Sequence, residues 1–332
     1  MRHYNIPIFI PELACPNQCI YCNQRYISGQ QNQPTKKEIV DKIETHIKTF
    51  SLPFEAEVAF FGGSFTGIDI DKQKEYLEIV QPYIEKGIIK SIRLSTRPDY
   101  INEEILDLLK KYNVGTIELG AQSLCEDVLF FAQRGHSVKD VEFSSKLIRE
   151  YGFSLGLQMM IGLPEDSYEK SIYTAKKIIS LKAQSTRIYP TLVIENTFLA
   201  KLYKEKKYTA LSLDEAIKWS SEIYKIFYDN NIKILRVGLH PSESLISNKE
   251  LLAGAFHVSF RQLVKTNIFK EEFEKIPQNK EKTIRIITSK KSINEAIGYN
   301  CSNRNFLKQR FNKVIFSEEE GLKELDFKYS LE

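Results

Sequence analysis

Apolar runs of strand length alternate with stretches of helical period six times over the first 231 residues of this 332-residue chain. That alternation restricts the fold to parallel α/β, because each crossover between parallel strands needs a helix of its own. The expected strands are Ile6–Ile10, Glu57–Phe61, Ile89–Ser95, Gly115–Leu119, Phe153–Ile161 and Ser185–Val193. Pro190 cannot donate to a ladder, so it implies an edge or a bulge in the last of these. Two helix starts have the form of capping boxes, Thr35-Lys-Lys-Glu38 and Ser212-Leu-Asp-Glu215. In such a box a hydroxyl and a carboxylate satisfy orphan backbone amides. The expectation is an open, partial (β/α)6 TIM-like barrel over residues 1–231 and a small C-terminal α/β extension over residues 232–332. Within the extension, Ile232–Leu239, Thr283–Thr288 and Val314–Phe316 read as strands, 292–311 as helix and 270–282 as a polar linker.

Three of the five cysteines fall within eight positions, Cys15-Pro-Asn-Gln-Cys19-Ile-Tyr-Cys22, directly after the first expected strand. Thiolates so close together can converge on one metal centre. A cubane iron–sulfur cluster is normally held by four cysteines, so three leave one iron open to another ligand. A structural zinc site wants a fourth Cys or His and usually a second paired motif. Downstream the next such residue is His46, and His3 lies upstream. A disulfide would need an oxidising compartment and would leave an odd thiol. Cys125 and Cys301 stand alone and read as buried thiols acting as small hydrophobes.

The spacing C-x3-C-x2-C, with Tyr21 before the third cysteine, resembles the signature of the radical S-adenosylmethionine (radical SAM) enzymes. The resemblance implies a [4Fe–4S] cluster on Cys15, Cys19 and Cys22. It further implies S-adenosylmethionine on the open iron, cleaved reductively to a 5′-deoxyadenosyl radical, and an electron donor such as flavodoxin or ferredoxin. Gly62-Gly63-Ser64 at the end of the second strand resembles the family's glycine pair, which contacts the methionine amino group. Glycine there allows close backbone approach.

Longer strings narrow the resemblance. Thr96-Arg97-Pro98-Asp99, Glu118-Leu-Gly120-Ala-Gln122-Ser123, Arg134-Gly135-His136, Gly162-Leu-Pro164, Tyr189-Pro190-Thr191, Arg236-Val-Gly-Leu-His240-Pro-Ser242 and Phe256-His257 together look like the radical SAM half of the Elongator catalytic subunit. That family modifies the wobble uridine of tRNA, so tRNA or another RNA is the implied partner. Two departures stand out. The first two cysteines are closer here than in Elongator proteins, and the 332 residues leave no room for an acetyltransferase domain. Carboxymethylation is therefore not carried over. Within the match Arg97, Gln122 and Arg134 are candidate contacts for S-adenosylmethionine, since a guanidinium suits its carboxylate. A barrel-mouth ion pair is the competing reading for each arginine. Glu118, Glu195, His240 and His257 read as structural polar groups.

Apolar residues make up 42% of the chain and charged residues 27%, as in an ordinary globular protein. No apolar run approaches the roughly 20 residues that span a bilayer, and no secretory leader opens the chain. A cytoplasmic enzyme without membrane association is expected. Residues 265–313 hold 12 Lys/Arg against 5 Asp/Glu and are interleaved with Phe269, Phe273, Tyr299, Phe306 and Phe311. Basic residues can track phosphates and aromatics can stack on unpaired bases, although a charge run also serves as a plain solvated face. The rival functions are a radical SAM enzyme for a small molecule, as in relatives of the oxygen-independent coproporphyrinogen oxidase, and a non-catalytic scaffold.

Overall fold

The computed structural model describes residues 2–11, 19–23, 32–239, 243–247 and 250–332. Seven strands form one parallel sheet: β1 (Arg2–Ile10), β2 (Phe54–Gly62), β3 (Ser91–Thr96), β4 (Val114–Gln122), β5 (Ser154–Ile161), β6 (Ser185–Pro190) and β8 (Lys233–Val237). They lie in chain order, as repeated right-handed β–α units place them. This is a partial barrel, with one strand more than the six read from the sequence. The added strand begins just past residue 231 and pairs with β6, Thr186 opposite Ile234.

The sixth expected strand is two. β6 ends at Pro190, and β7 (Leu192–Ile194) leaves the sheet to pair antiparallel with β9 (Leu251–Gly254). Pro190 therefore marks a strand end and not an edge, because β6 is flanked by β5 and β8.

Helices cover the outer face of the sheet. Side chains alternate along each strand, so Val58, Phe60, Ile92, Leu94, Ile117, Leu119, Leu155 and Leu157 share one buried core with the helices. Their starts are fixed by side-chain caps. Thr35 with Glu38, Ser137 with Asp140 and Ser212 with Glu215 each form the reciprocal box. Each cap is worth about 1 kcal/mol. Among the described residues no helix is long and apolar enough to cross a membrane.

After β8 the chain builds a second core. A helix, Phe260–Glu274, precedes a three-stranded sheet of order β11–β10–β12, from Asn279–Thr288 (β10), Phe311–Glu318 (β11) and Phe327–Leu331 (β12). Two short helices, Ile293–Ile297 and Ser302–Lys308, stand where one was expected. The expected polar linker over 270–282 is instead the end of the long helix and the start of β10.

This core removes Phe269, Phe273 and Phe311 from the base-stacking reading of the aromatics. Phe269, Phe273 and Phe311 are buried together with Ile276, Ile284, Ile286 and Leu307, and Phe306 packs against them. The three buried rings are not offered to a nucleic acid, whereas Tyr299 and Phe306 are half-buried. Phe273→Ala should therefore cost about 3–5 kcal/mol, read as a lowered denaturation midpoint with faster amide exchange in residues 260–332.

Candidate functional site at the strand ends

Cys19 and Cys22 lie at the carboxyl end of the sheet; Cys15 lies outside the described residues. The Cys22 amide donates to the Cys19 carbonyl at 3.0 Å, which curls the two cysteines into one turn. Two flanking helices hold that turn. The Ile20 amide donates to the Ala132 carbonyl at 3.3 Å, and the Leu199 amide donates to the Ile20 carbonyl at 2.8 Å. Ile20 packs with Val193, Leu199, Ala200 and Tyr208, so the turn has a small core of its own.

Arg134 closes over the turn. Its Nη1 donates to the Cys19 sulfur at 3.0 Å and to the Tyr21 hydroxyl at 3.2 Å, while Nη2 donates to the Gly120 carbonyl at 2.7 Å. A Cβ on Gly120 would stand 2.9 Å from Gln122 Nε2 and 3.4 Å from Arg134 Nη2, so glycine admits both side chains. Arg134 is only 6% exposed. Among the described residues it has no carboxylate partner. A buried cation without an anion is costly. Burial alone would make its proton easier to lose, but the Tyr21 oxygen and the Cys19 and Cys22 sulfurs hold it on more tightly than usual. Burial pushes the Tyr21 hydroxyl the other way, well above the phenol range, so it stays neutral. Cysteine sulfurs facing a fixed cation suit an iron–sulfur cluster, which takes its cysteines as thiolates.

The other expected residues sit on neighbouring strand ends. Gly62 has φ of +114°, and a Cβ there would fall 2.2 Å from the Ile10 carbonyl, so only glycine fits. The Gly63 amide donates to that same carbonyl at 2.8 Å. Ser64 is buried and committed. Its hydroxyl bonds Thr96 Oγ1 at 2.7 Å and accepts from the Arg97 amide at 3.2 Å.

Arg97 grips Asp99 with Nε at 2.9 Å and Nη2 at 2.8 Å. This is the barrel-mouth ion pair of the competing reading. Its Nη1 is nevertheless buried without a hydrogen-bond partner, and so is Oε1 of Gln122. His136, in the string Arg134-Gly135-His136, joins these groups. Both its ring nitrogens are buried without a hydrogen bond of good geometry. Burial first, then Arg134 and Arg97, push its pKa down to about 3, against a small opposing effect of Asp99 and the Ala121 carbonyl. Orphaned polar atoms therefore gather on Arg97, Gln122, Arg134 and His136. The sequence signal for His136 was its place two residues after Arg134.

Deeper in the barrel, Glu118 has the structural role expected of it. Arg93 Nη1 reaches it at 3.0 Å, Arg187 Nε at 2.5 Å and Nη2 at 3.0 Å, and Gln158 Nε2 at 3.3 Å. Burial works to raise its pKa, but the two arginines prevail and hold it below the usual range. Glu195 pairs with Lys204 at the surface. His257 Nδ1 accepts from the Ser259 amide at 3.0 Å just ahead of a helix, a structural task. His240 lies outside the described residues. Cys125 is half-buried, whereas Cys301 is exposed, which corrects the expectation of a buried thiol. Cys301 sits at φ of 58° on a tight turn that presents it to solvent.

The chain is similar to known proteins over most of its length. A family profile described as the radical SAM superfamily matches residues 10–178, and one described as the radical SAM C-terminal domain matches residues 183–270. A tRNA uridine(34) acetyltransferase of Dehalococcoides mccartyi is 25% identical over 239 residues, covering 61% of this chain and 52% of that protein. Elongator complex protein 3 of Saccharomyces cerevisiae is 33% identical over 190 residues, covering 54% of this chain and 33% of that protein. The chain thus spans about half or less of the length of these relatives. The solved structure of the archaeal Methanocaldococcus infernus Elp3, lacking its N-terminal segment, superposes with a TM-score of 0.63 at 21% identity, covering 81% of this chain and 63% of that one.

His136 also gives the fold a pH dependence. Its folded pKa of about 3 lies below the free value of 6.5, so between those values the unfolded chain binds the extra proton. Stability contributed by the neutral ring is full above pH 6.5 and is lost as pH falls toward 3, by up to about 1.4 kcal/mol per pH unit. Asp166 acts oppositely. Burial raises it to about 6, despite bonds from Ser171 and the Gly162 and Ser167 amides. Its protonated form therefore offsets part of the loss below pH 6. Comparison of wild type with His136→Asn isolates the histidine. Denaturant melts from pH 7 to pH 4 should show a shallower loss in the variant, and parallel curves would exclude a buried neutral His136.

Proposed function

Because this chain belongs to the radical SAM superfamily, we propose that it is a radical SAM enzyme that modifies tRNA or another RNA. Cys15, Cys19 and Cys22 would hold a [4Fe–4S] cluster, with S-adenosylmethionine beside it. When bound, the two together supply the radical chemistry. The protein's share is to bind, orient and exclude water. The observation that carries this reading is the buried Arg134, which has the Cys19 sulfur and, among the described residues, no carboxylate as its partner.

The orphaned atoms suit the amino-acid end of S-adenosylmethionine. Arg97 Nη1 is a donor for a carboxylate, and Gln122 Oε1 is an acceptor for an ammonium group. Asp99 keeps the Arg97 fork in place through two bonds. Gly62 and Gly63 let the backbone come close to the same ligand.

The RNA assignment is supported by the names of the relatives and by a cationic cavity. That cavity, about 490 Å³, opens where β8 ends and is lined by Arg236, Arg261, His257 and Glu295 among others. Burial first weakens the proton affinity of Arg236; Tyr189 opposes this, and the neighbouring Arg187 and Arg261 add to it. A phosphate would relieve that crowding. The acetyl transfer in the relatives' names lies outside the proposal.

The test is anaerobic. After cluster reconstitution, S-adenosylmethionine and a strong reductant are added and 5′-deoxyadenosine is measured with and without bulk tRNA. Wild type should form it, more with tRNA; Cys19→Ala should form none. Arg97→Gln should weaken S-adenosylmethionine binding tenfold or more, as expected for a lost charged hydrogen bond of about 1.5–3 kcal/mol. Formation indifferent to tRNA would refute the RNA assignment and favour a small-molecule substrate. No formation from protein with a full cluster would refute the enzyme.

A further inference from the structure

We propose that Arg134 is a positioning residue that raises the reduction potential of the cluster, by donating a hydrogen bond to the sulfur of Cys19. This rests on the cluster reading above and adds a role distinct from contact with S-adenosylmethionine.

The geometry is specific. Nη1 stands 3.0 Å from the Cys19 sulfur, a distance at which a charged N–H donates strongly to a thiolate. The guanidinium cannot swing away, because Nη2 is anchored on the Gly120 carbonyl and Nη1 also meets Tyr21. Its backbone is fixed as well. The Arg134 amide donates to the Leu129 carbonyl at 3.0 Å, and Ala132, two residues earlier, accepts from Ile20 beside the cysteine. Donor and sulfur are thus tied to one turn and move together. Both terminal nitrogens are spent on this contact set. Only Nε remains without a partner, whereas Arg97 keeps a terminal nitrogen free.

The consequence is electrostatic. The potential of a cysteine-held cluster is set by net charge, by hydrogen bonds to the sulfurs and by solvent exposure. A low-potential one-electron donor adds one negative charge next to Cys19, and no bond forms or breaks in that step. Arg134 is a buried cation whose charge no carboxylate cancels among the described residues. It therefore favours the more negative state and makes reduction easier.

The experiment compares wild type, Arg134→Met and Arg134→Gln after anaerobic reconstitution. Iron and sulfide are quantified, and the potential is read by electron paramagnetic resonance in dithionite-poised samples. Arg134→Met should shift the one-electron equilibrium at least about tenfold, roughly 59 mV more negative, with Arg134→Gln between it and wild type. A full cluster with an unchanged potential in Arg134→Met overturns the proposal. So does partial occupancy with an unchanged potential in the loaded fraction, which is what a merely structural arginine would give. Should Arg134→Met hold no cluster, Arg134→Gln decides alone: a lower potential supports the role and an equal one overturns it. Wild type that takes up no iron would overturn the cluster reading itself.

Discussion

The carboxylate of Glu118, 1% exposed between Arg93 and Arg187, is the interaction on which the barrel interior depends. A sheet covered by helices on its outer face leaves an inner face that water cannot fill freely. Here that face is built from charge. Glu57 and Glu118 balance Arg93 and Arg187, and His3 and Gln158 complete the set. Burying such groups costs several kcal/mol per ion unless every lone pair is engaged. Glu118 meets that condition with four donated bonds. The network links six strands, β1 to β6, so a one-residue slip of a strand that carries one of its buried charges would leave a charge unpaired. It thereby fixes register where apolar packing alone would tolerate sliding. Gly120 lies two residues further along β4, about 7 Å at strand rise. The rigid layer therefore supports the carbonyl that anchors Arg134.

This charged inner face also explains what the sequence conveyed well and what it conveyed poorly. Strand existence and order were legible from apolar runs, since the outer-face residues are apolar in every strand. Strand ends were not. The apolar run places the start of β1 at Ile6, yet the strand begins at Arg2, because His3 faces the inner charge layer and looks unlike strand. β8 was read as the start of another module for a similar reason. Its Arg236 stands opposite Arg187 on the concave side, and polar alternation there resembles a surface strand. The cysteine turn, the Gly62 turn and Arg134 were legible because each depends on residue type at a short spacing.

Tertiary burial was the part least accessible to pattern. The basic stretch from 265 to 313 looked like a charged face with stacking aromatics. Lys265 within it is 6% exposed, held by Glu295 and Glu324, the second of these from residues 314–332, which hold six Asp/Glu against two Lys/Arg. The late segments of opposite charge thus neutralise each other in part across the small module, and the phenylalanines between them become its core. Local charge counts carry no information on such pairing. Cys301 erred in the opposite direction: a thiol that composition alone would bury stands on an exposed turn.

Electroneutrality separates the site from the scaffold. Among the described residues three arginines are buried below a tenth of their surface: Arg93, Arg97 and Arg134. Arg93 has two carboxylates and Arg97 has Asp99. Arg134 has sulfur, a phenol and a carbonyl. Each buried polar atom left unpaired costs about 1–3 kcal/mol. Such atoms on Arg97, Gln122, Arg134 and His136 are gathered at one end of one sheet. The scaffold below them satisfies Glu118 to the last lone pair, so the chain is able to pair its buried charges. Buried unpaired atoms occur singly elsewhere, on Gln73, Ser145 and Arg149 for example, but here donors, an acceptor and a cation without a carboxylate among the described residues stand on four neighbouring side chains, as suits a charged, hydrogen-bonding ligand beside the cysteines.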